Sequence, residues 1–227
     1  MDMLQFREKE IFETLKEIKK FHFAIIGGYA VNAYTLPRFS VDCDIVIKDE
    51  LEARKIRNIL NKLDYKEVIA DEKLSYTGKF IRYEKKIDKN FKVSVDILIK
   101  EVFDRQSNCK FSAEWIFHNS AIKQLRGKTI TETLKLRIIN IDALIVMKFI
   151  CARIPDIRDV FMLLPNVKNK EWIKNELAQR YDFEKVFKKI KDKVTSAQFR
   201  NDLQGVFGYI DSNIFEKHKK ALIELKK

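Results

Sequence analysis

Apolar and polar positions repeat along this chain either at helical spacing or in the two-residue alternation of a strand. The changes between these two periods predict where the helices and strands lie. Apolar residues recur at helical spacing through the first twenty positions, which predicts an amphipathic helix. A short apolar run at 24–26 is typical of a buried strand, and residues 41–47 alternate as a second strand would. Between them, residues 29–34 suit a short packed helix, and residues 49–63 return to helical spacing behind an acidic start.

Two further β-rich segments follow at residues 76–84 and 91–99. The polar link KKIDKN between them predicts a turn, and therefore an antiparallel pair. Residues 103–133 carry short strand and turn signals that give no clear assignment. Residues 134–139 are predicted to form the last strand.

The remainder of the chain is helical in character. A helix is predicted over residues 143–153; Pro155 would end it, and Asp156 would cap the next helix. Three or four amphipathic segments then occupy residues 170–227. We therefore predict an α/β (α+β) fold, with a small mixed sheet and flanking helices over residues 1–140 and a helical C-terminal domain over residues 141–227.

Three carboxylates lie in the predicted strands, close to a glycine pair. Asp42 and Asp44 share one face of their strand, and Asp96 interrupts a strand otherwise built for burial. Gly27 and Gly28 let the backbone turn sharply or approach a phosphate closely. Mg²⁺ prefers oxygen ligands and binds through a few carboxylates plus substrate phosphates, so the three acids predict a metal site for phosphoryl or nucleotidyl transfer. The alternative is structural: two strand-edge acids and one buried hydrogen-bond acceptor.

The amino-acid composition gives the protein a net positive charge. Lys and Arg number 45 against 33 Asp and Glu, a net charge of +12, which favours polyanions such as nucleic acid, although a merely solvated lysine-rich surface is the alternative. Cys43, Cys109 and Cys151 lack disulfide or zinc spacing and fit a reducing compartment. With neither a signal peptide nor a membrane-length apolar run, the sequence predicts a cytoplasmic protein.

The segment IIGGYAVNAYTLPRFSVDCDIVI resembles the signature of the DNA polymerase β-like nucleotidyltransferase superfamily. That resemblance implies a nucleotidyltransferase core and transfer of a nucleoside monophosphate from NTP to a hydroxyl. It also implies that Gly27 and Gly28 contact the nucleotide and that Asp42, Asp44 and Asp96 hold Mg²⁺ or Mn²⁺ as catalytic ligands.

The later segment IDALIVMKFICARIPDIRDVFMLL resembles the second conserved block of the AbiEii/AbiGii toxin-type nucleotidyltransferases. The resemblance implies that Lys148 contacts nucleotide phosphates, that Arg158 binds nucleotide and that Asp159 is functionally important, so Lys148 and Asp159 join the predicted catalytic residues. Arg38 and Ser40 are also assigned to nucleotide binding. From the residues alone, Lys148 could instead extend from an apolar helix to solvent, and Asp159 could pair with a basic neighbour.

Our hypothesis from sequence is a metal-dependent nucleotidyltransferase with an NTP substrate and an RNA acceptor, such as the tRNA 3′ end. The second resemblance adds a toxin role and an antitoxin protein as partner. Two alternatives stay open: a catalytically silent nucleotide- or RNA-binding module, and an enzyme that modifies a protein. The sequence does not select the NTP.

Overall fold

The computed structural model describes residues 2–68, 79–89 and 91–226, and one mixed sheet organises them. Within these residues there are nine strands: β1 Ala24–Ile25, β2 Asp42–Ile47, β3 Lys66–Val68, β4 Lys79–Lys86, β5 Lys92–Ile99, β6 Glu101–Asp104, β7 Cys109–Ser112, β8 Ser120–Arg126 and β9 Thr133–Ile139. The same residues form ten α-helices: α1 Met3–Ile18, α2 Gly27–Val31, α3 Glu50–Lys62, α4 Ala113–His118, α5 Ile141–Cys151, α6 Ile154–Leu163, α7 Lys170–Arg180, α8 Phe183–Val194, α9 Phe199–Phe207 and α10 Ser212–Lys226.

Seven strands form the main sheet in the order β3-β4-β5-β2-β1-β9-β8. The pairs β2–β5 and β1–β9 are parallel, whereas the other neighbours are antiparallel. Strands β6 and β7 form a separate hairpin. The predicted class, a mixed sheet with flanking helices followed by a helical C-terminal part, is therefore confirmed.

Several sequence predictions match the structure closely. Helix α3 begins after Asp49, whose side chain accepts a hydrogen bond from the Glu52 backbone N–H, and the predicted antiparallel pair is β4–β5. Residues 76–78 and 90 of that prediction lie outside the described residues. The short helix between the first two strands begins at the glycine pair itself and ends at Val31.

The helix boundary near Pro155 differs from the prediction. Helix α5 ends at Cys151, and Ala152 follows it with a left-handed backbone, φ +43°. Helix α6 begins at Ile154, because proline is compatible with the first helical turn, where no backbone N–H is needed. Asp156 therefore lies inside α6, and its prediction as a helix cap is wrong.

Helix α5 lies at the centre of the helical layer. Nine of its residues are buried, and it packs against α2, α6, α7 and α8. Because α2 belongs to the first predicted domain, α5 connects the sheet region to the C-terminal helices. The division of the chain into two domains at residue 140 stays a prediction. None of the helices formed by the described residues is long and apolar enough to cross a membrane.

Candidate active site

Asp42, Asp44 and Asp96, which we call the strand carboxylates, lie together on adjacent strands. The parallel register of β2 and β5 places Asp44 beside Asp96 and Asp42 beside Ser94. The Ser94 hydroxyl donates a hydrogen bond to Asp42 Oδ1. Alternation along β2 and the pairing with β5 thus bring the three predicted metal ligands to one face of the sheet.

Arg82 is a site residue that the sequence reasoning missed. It lies on β4 opposite Asp96, to which its Nε and Nη2 donate hydrogen bonds of 2.8 and 2.7 Å. Its Nη2 also lies 3.5 Å from Asp42 Oδ1. Counting from KKIDKN as the turn would have paired Arg82 with Val93, whereas the observed hairpin pairs Lys86 with Lys92 and so Arg82 with Asp96. The sequence therefore carried no signal that located this contact.

The strand carboxylates carry more negative charge than Arg82 neutralises. Burial, followed by the charges of Asp96 and Asp42, raises the pKa of Asp44 to about 7. Burial also raises the pKa of Asp96, against the opposing influence of Arg82. Three carboxylates beside one guanidinium leave a deficit of positive charge, and carboxylate oxygens are the donors that Mg²⁺ and Mn²⁺ accept.

The carboxylates are nevertheless not arranged as a complete metal-coordination site. Among the residues that the structure describes, no three acidic, histidine or cysteine side chains converge on one point as metal ligands. Both carboxylate oxygens of Asp96 accept hydrogen bonds from Arg82 instead. The carboxylate oxygens fit a divalent cation in their chemistry, but in this arrangement both oxygens of Asp96 are engaged by Arg82.

The glycine pair is required by close packing at this site. Gly27 has a φ of +63°, and a β-carbon there would overlap the carboxylate of Asp44. A β-carbon at Gly28 would overlap the hydroxyl of Ser40, which in turn donates a hydrogen bond of 3.2 Å to the Asp42 carbonyl. The two glycines therefore bring the start of α2 against the strand carboxylates, whether or not a phosphate binds there.

A second charged cluster lies behind the first, and we call it the Lys148 network. Lys148 Nζ is 2.9 Å from Asp156 Oδ1 and 2.8 Å from Asp159 Oδ2. Arg38 donates to both oxygens of Asp159 at 2.7 and 2.6 Å. Arg153 Nε donates to Asp156 Oδ2 at 2.8 Å. Two carboxylates are thus shared by three cations.

Burial of this network decides what its members can contact. The Asp159 side chain is 1% exposed and that of Lys148 is 8% exposed. Burial would raise the pKa of Asp159, but Lys148 and Arg38 outweigh it and hold that pKa below its ordinary value. Burial would lower the pKa of Lys148, but Asp159 and Asp156 outweigh it and raise it. Asp159 therefore pairs with the basic residues Arg38 and Lys148, which agrees with the structural alternative given for it from sequence. The sequence analysis missed Asp156 as a member of this network because it interpreted that residue as a helix cap.

Two pockets are both lined by Asp44. The first, the polar pocket, is lined by Arg38, Ser40, Asp42, Asp44 and Arg158 among others. It therefore brings together five of the residues predicted from sequence. Arg158 bonds weakly to the Asp202 carbonyl, at 3.5 Å, and its buried Nε has no hydrogen-bond partner within the described residues.

The second, the apolar pocket, continues from Asp44 on the other side. Five charged residues line it, and the other lining residues are mostly apolar. The charged ones are Asp44, Asp104, Lys148, Arg153 and Asp156; the apolar ones are Ile26, Phe80, Leu98, Val102, Phe103, Leu144 and Met147. Asp44 thus lines both pockets: in the first it lies with Asp42 and two arginines, and in the second with both charged and apolar side chains.

Comparisons with known proteins identify the fold as nucleotidyltransferase-like. JHP933 from Helicobacter pylori is 14% identical, with 99% of this chain and 92% of that chain covered and a TM-score of 0.51. A Helicobacter pylori protein described as a candidate nucleotidyltransferase is also 14% identical, with 99% and 95% covered and a TM-score of 0.55. No protein-family model and no curated protein matches the chain.

Proposed function

We propose that this protein is a metal-dependent nucleotidyltransferase that transfers a nucleoside monophosphate from NTP to a hydroxyl of RNA, such as the tRNA 3′ end. One observation carries the proposal: Asp42 and Asp44, with Asp96 beside Asp44 on the neighbouring strand, lie at a pocket that Arg38, Ser40 and Arg158 also line. Acids to hold a cation beside donors for phosphate are what this reaction requires.

In the proposed reaction, the acceptor oxygen bonds to the α-phosphorus while the bond from that phosphorus to the bridging oxygen breaks. Pyrophosphate leaves, and the proton of the acceptor hydroxyl passes to solvent. Asp42, Asp44 and Asp96 would hold Mg²⁺ or Mn²⁺, which supplies neutralisation of the charge on the attacking and leaving oxygens. Catalysis by the chain itself is then a matter of positioning and electrostatics.

The predicted nucleotide-binding residues take different parts. Arg158 keeps guanidinium donors for the triphosphate, since its only hydrogen bond within the described residues is the long one to Asp202. Arg38 is engaged with Asp159 and with the Phe39 carbonyl, so it positions the segment that carries Ser40. Lys148 contributes positive charge beneath Asp44, and it would reach a phosphate only by leaving Asp156 or Asp159.

A second function is favoured by a specific observation, the bidentate pair of Arg82 with Asp96. If Arg82 never releases Asp96, the protein would be a catalytically silent nucleotide- or RNA-binding module. The positive charge of +12 supports an RNA partner under either proposal. The toxin role, an antitoxin partner, a cytoplasmic location and modification of a protein acceptor also remain proposals that rest on sequence.

The test is incubation of the purified protein with each labelled NTP, total cellular RNA and total protein, with and without Mg²⁺. We expect label to enter RNA only with the metal. Asp42→Asn or Asp44→Asn should reduce the rate by about a thousandfold or more, because the main charge stabilisation is lost. Asp64→Asn is the matched control, since Asp64 is exposed, has a φ of +65° that asparagine tolerates, and lies outside the site.

Label that enters RNA equally in the Asp42→Asn and Asp44→Asn variants would overturn the proposal. Label that follows protein instead would replace the acceptor with a protein hydroxyl. RNA binding without pyrophosphate release under any NTP would support the silent module.

A further inference from the structure

Strand β8 forms one edge of the seven-stranded sheet, and among the described strands it pairs only with β9. A hydrogen bond of 2.7 Å from the Asn140 N–H to the Asn119 carbonyl continues this pairing by one residue. Hydrogen-bonded and non-hydrogen-bonded pairs alternate along an antiparallel ladder, so this bond fixes which residues of β8 bond to β9. The N–H and C=O groups of Ala121, Lys123 and Leu125 therefore point toward β9.

The alternate residues Ile122, Gln124 and Arg126 direct their backbone N–H and C=O groups away from β9. Within the described residues, none of these backbone groups forms a hydrogen bond. All three residues are exposed, and Ile122 is 60% exposed. A row of unpaired donors and acceptors on an exposed edge strand is a template for pairing with another strand. Strand β8 thus has the backbone groups to accept a second neighbour.

The side chains of this edge are basic. Neither β8 nor β9 contains an acidic residue. The register places Arg137 opposite Ile122 and Lys135 opposite Gln124, so these side chains share the exposed face of the sheet with Arg126. Four basic side chains of the two strands form no ion pair within the described part of the chain: Lys123, Arg126, Lys135 and Arg137.

The contacts that the two arginines make leave their charge unbalanced. Arg126 Nη2 donates a hydrogen bond to the Thr35 carbonyl, and Arg137 Nη1 donates one to the Ser120 carbonyl, both at 3.4 Å. Arg137 also lies over the ring of Phe117, 5.8 Å from its centroid. None of these partners carries a negative charge, so the positive potential of the edge suits an acidic partner.

We propose that β8 binds an extended acidic segment of a partner protein, which adds a strand to this edge of the sheet. The backbone of the segment bonds to Ile122, Gln124 and Arg126, and its alternate side chains place an apolar group on Ile122 and acids beside Arg126 and Lys135. Addition of a strand derives affinity from main-chain hydrogen bonds and specificity from alternate side chains in this way. The inference goes beyond the proposed reaction and does not depend on it.

Two other occupants match the edge in part only. A second copy of this chain, paired through its own β8, would bring basic side chains together without any acid, and like charges on paired strands repel. An RNA would meet the positive charge but would leave the regular alternation of N–H and C=O groups unused. An acidic strand satisfies both features of the edge.

The probe is a capped synthetic peptide of about nine residues, enough to span a strand of this length. It alternates threonine on one face with glutamate and valine on the other. Titration of this peptide to millimolar concentration into isotope-labelled protein, without NTP, should shift the amide resonances of Ile122, Gln124 and Arg126. It should also slow their hydrogen exchange about twofold or more. Shifts that are absent, or that fall on other elements, would overturn the proposal.

Methylation of peptide nitrogens separates strand pairing from attraction by charge. A peptide methylated at every second residue loses the N–H donors along one of its two edges. Of the two peptides methylated in alternate registers, one should bind as the parent does and the other about tenfold more weakly. Equal binding of both peptides would show that only charge holds them, and the proposed strand would be wrong.

Proline substitutions test the orientation of the edge. Gln124→Pro removes an N–H that bonds to nothing within the described residues, so it should weaken peptide binding about tenfold with little change in melting temperature. Lys123→Pro is the matched comparison, because it removes an N–H that bonds to β9 and should lower the melting temperature clearly. Equal losses of melting temperature would contradict the assigned orientation.

Reversal of charge tests the acidic character of the partner. Arg126→Glu with Lys135→Glu should weaken binding of the peptide about tenfold, and a peptide with lysine in place of glutamate should not bind. The control is Lys188→Glu with Lys189→Glu, which makes the same change of net charge on exposed lysines of α8. An equal loss in the control would assign the effect to net charge and overturn the inference.

The other occupants give different results. Labelled single-stranded RNA that loses affinity only in the β8–β9 charge variant, with no response to the peptide, would assign the edge to nucleic acid and overturn the proposal. A doubled mass in sedimentation that Gln124→Pro abolishes would assign it to a second copy of the chain. Failure to label RNA with any NTP would reject the proposed reaction and leave the peptide result standing.

Discussion

The strand carboxylates and the Lys148 network are both clusters of buried or half-buried charge, yet their balance is opposite. Among the described residues, Arg82 contacts Asp42 and Asp96 of the three carboxylates in the first, whereas two carboxylates share three cations in the second. The second cluster is complete, because its main polar atoms have partners and little solvent reaches Lys148 or Asp159. The first retains unneutralised charge beside an open pocket. This difference in charge balance distinguishes the Lys148 network, which has a structural role, from the strand carboxylates, whose excess negative charge suits a cationic ligand.

The largest change in unfolding free energy is expected from disrupting the Lys148 network. Asp159→Asn leaves Arg38 buried without a carboxylate partner and removes one of the two carboxylates of Lys148, which should cost about 3–5 kcal/mol of unfolding free energy. Asp44→Asn, measured in the same way, should cost none, because it relieves repulsion. Urea denaturation of both variants without divalent metal makes the comparison. Equal losses would show that the two clusters have the same structural role.

A smaller effect is expected from removing Arg82, which contacts Asp42 and Asp96. Arg82→Met frees both oxygens of Asp96 and should strengthen Mn²⁺ binding about tenfold, equivalent to ~1.4 kcal/mol. Calorimetric titration with Mn²⁺ measures this without any turnover. Arg82→Lys keeps a charge but cannot make the paired contact, so it should give an intermediate affinity. Weaker binding in Arg82→Met would mean that Arg82 helps to form the metal site.

The two clusters should also differ in the pH dependence of stability, with opposite signs. Without metal, Asp44 ionises at about 7 in the folded protein but at about 3.9 when unfolded, so a rise in pH between these values disfavours folding. Asp44→Asn removes this cost. Its melting temperature should exceed that of the unchanged protein by a few degrees above pH 7, and the gain should vanish near pH 4.

The sign is reversed at the Lys148 network. The lowered pKa of Asp159 contributes stability above the unfolded value, and this contribution is lost as pH falls through the lower folded value. A gain of stability in Asp44→Asn that persists at pH 4 would contradict the first assignment. Melting curves in a chelator between pH 4 and 8 measure both effects.

The sequence predicted those parts of the fold and site that depend on local periodicity. Alternation placed Asp42 and Asp44 on one face, and the helical spacing of 49–63 predicted α3. The residue pattern also suggested that a neighbouring strand brings Asp96 to the other two acids, and the register of β2 with β5 places Asp96 beside Asp44. The metal role of these residues stays a prediction.

The periodic pattern of the sequence could not predict which charged residues pair with each other. Arg82 is an ordinary polar position of an alternating strand until the register with Asp96 is known, and Asp156 has the sequence context of a helix cap. Arg38 meets Asp159 only because the segment before β2 and helix α6 fold against each other. Such contacts are set by tertiary packing, and no local preference of the chain specifies them.

The pairing of Arg38 with Asp159, 121 residues apart, has a consequence for how related sequences diverge. Because either residue alone would leave a buried charge without its counter-ion, the two positions should change together, for example to a neutral or apolar pair. Positions 42 and 44 should show no such exchange with any single partner, since an external cation rather than another side chain would balance them. Paired substitution at 38 and 159, against strict retention of acids at 42 and 44, is the evolutionary pattern that the geometry implies.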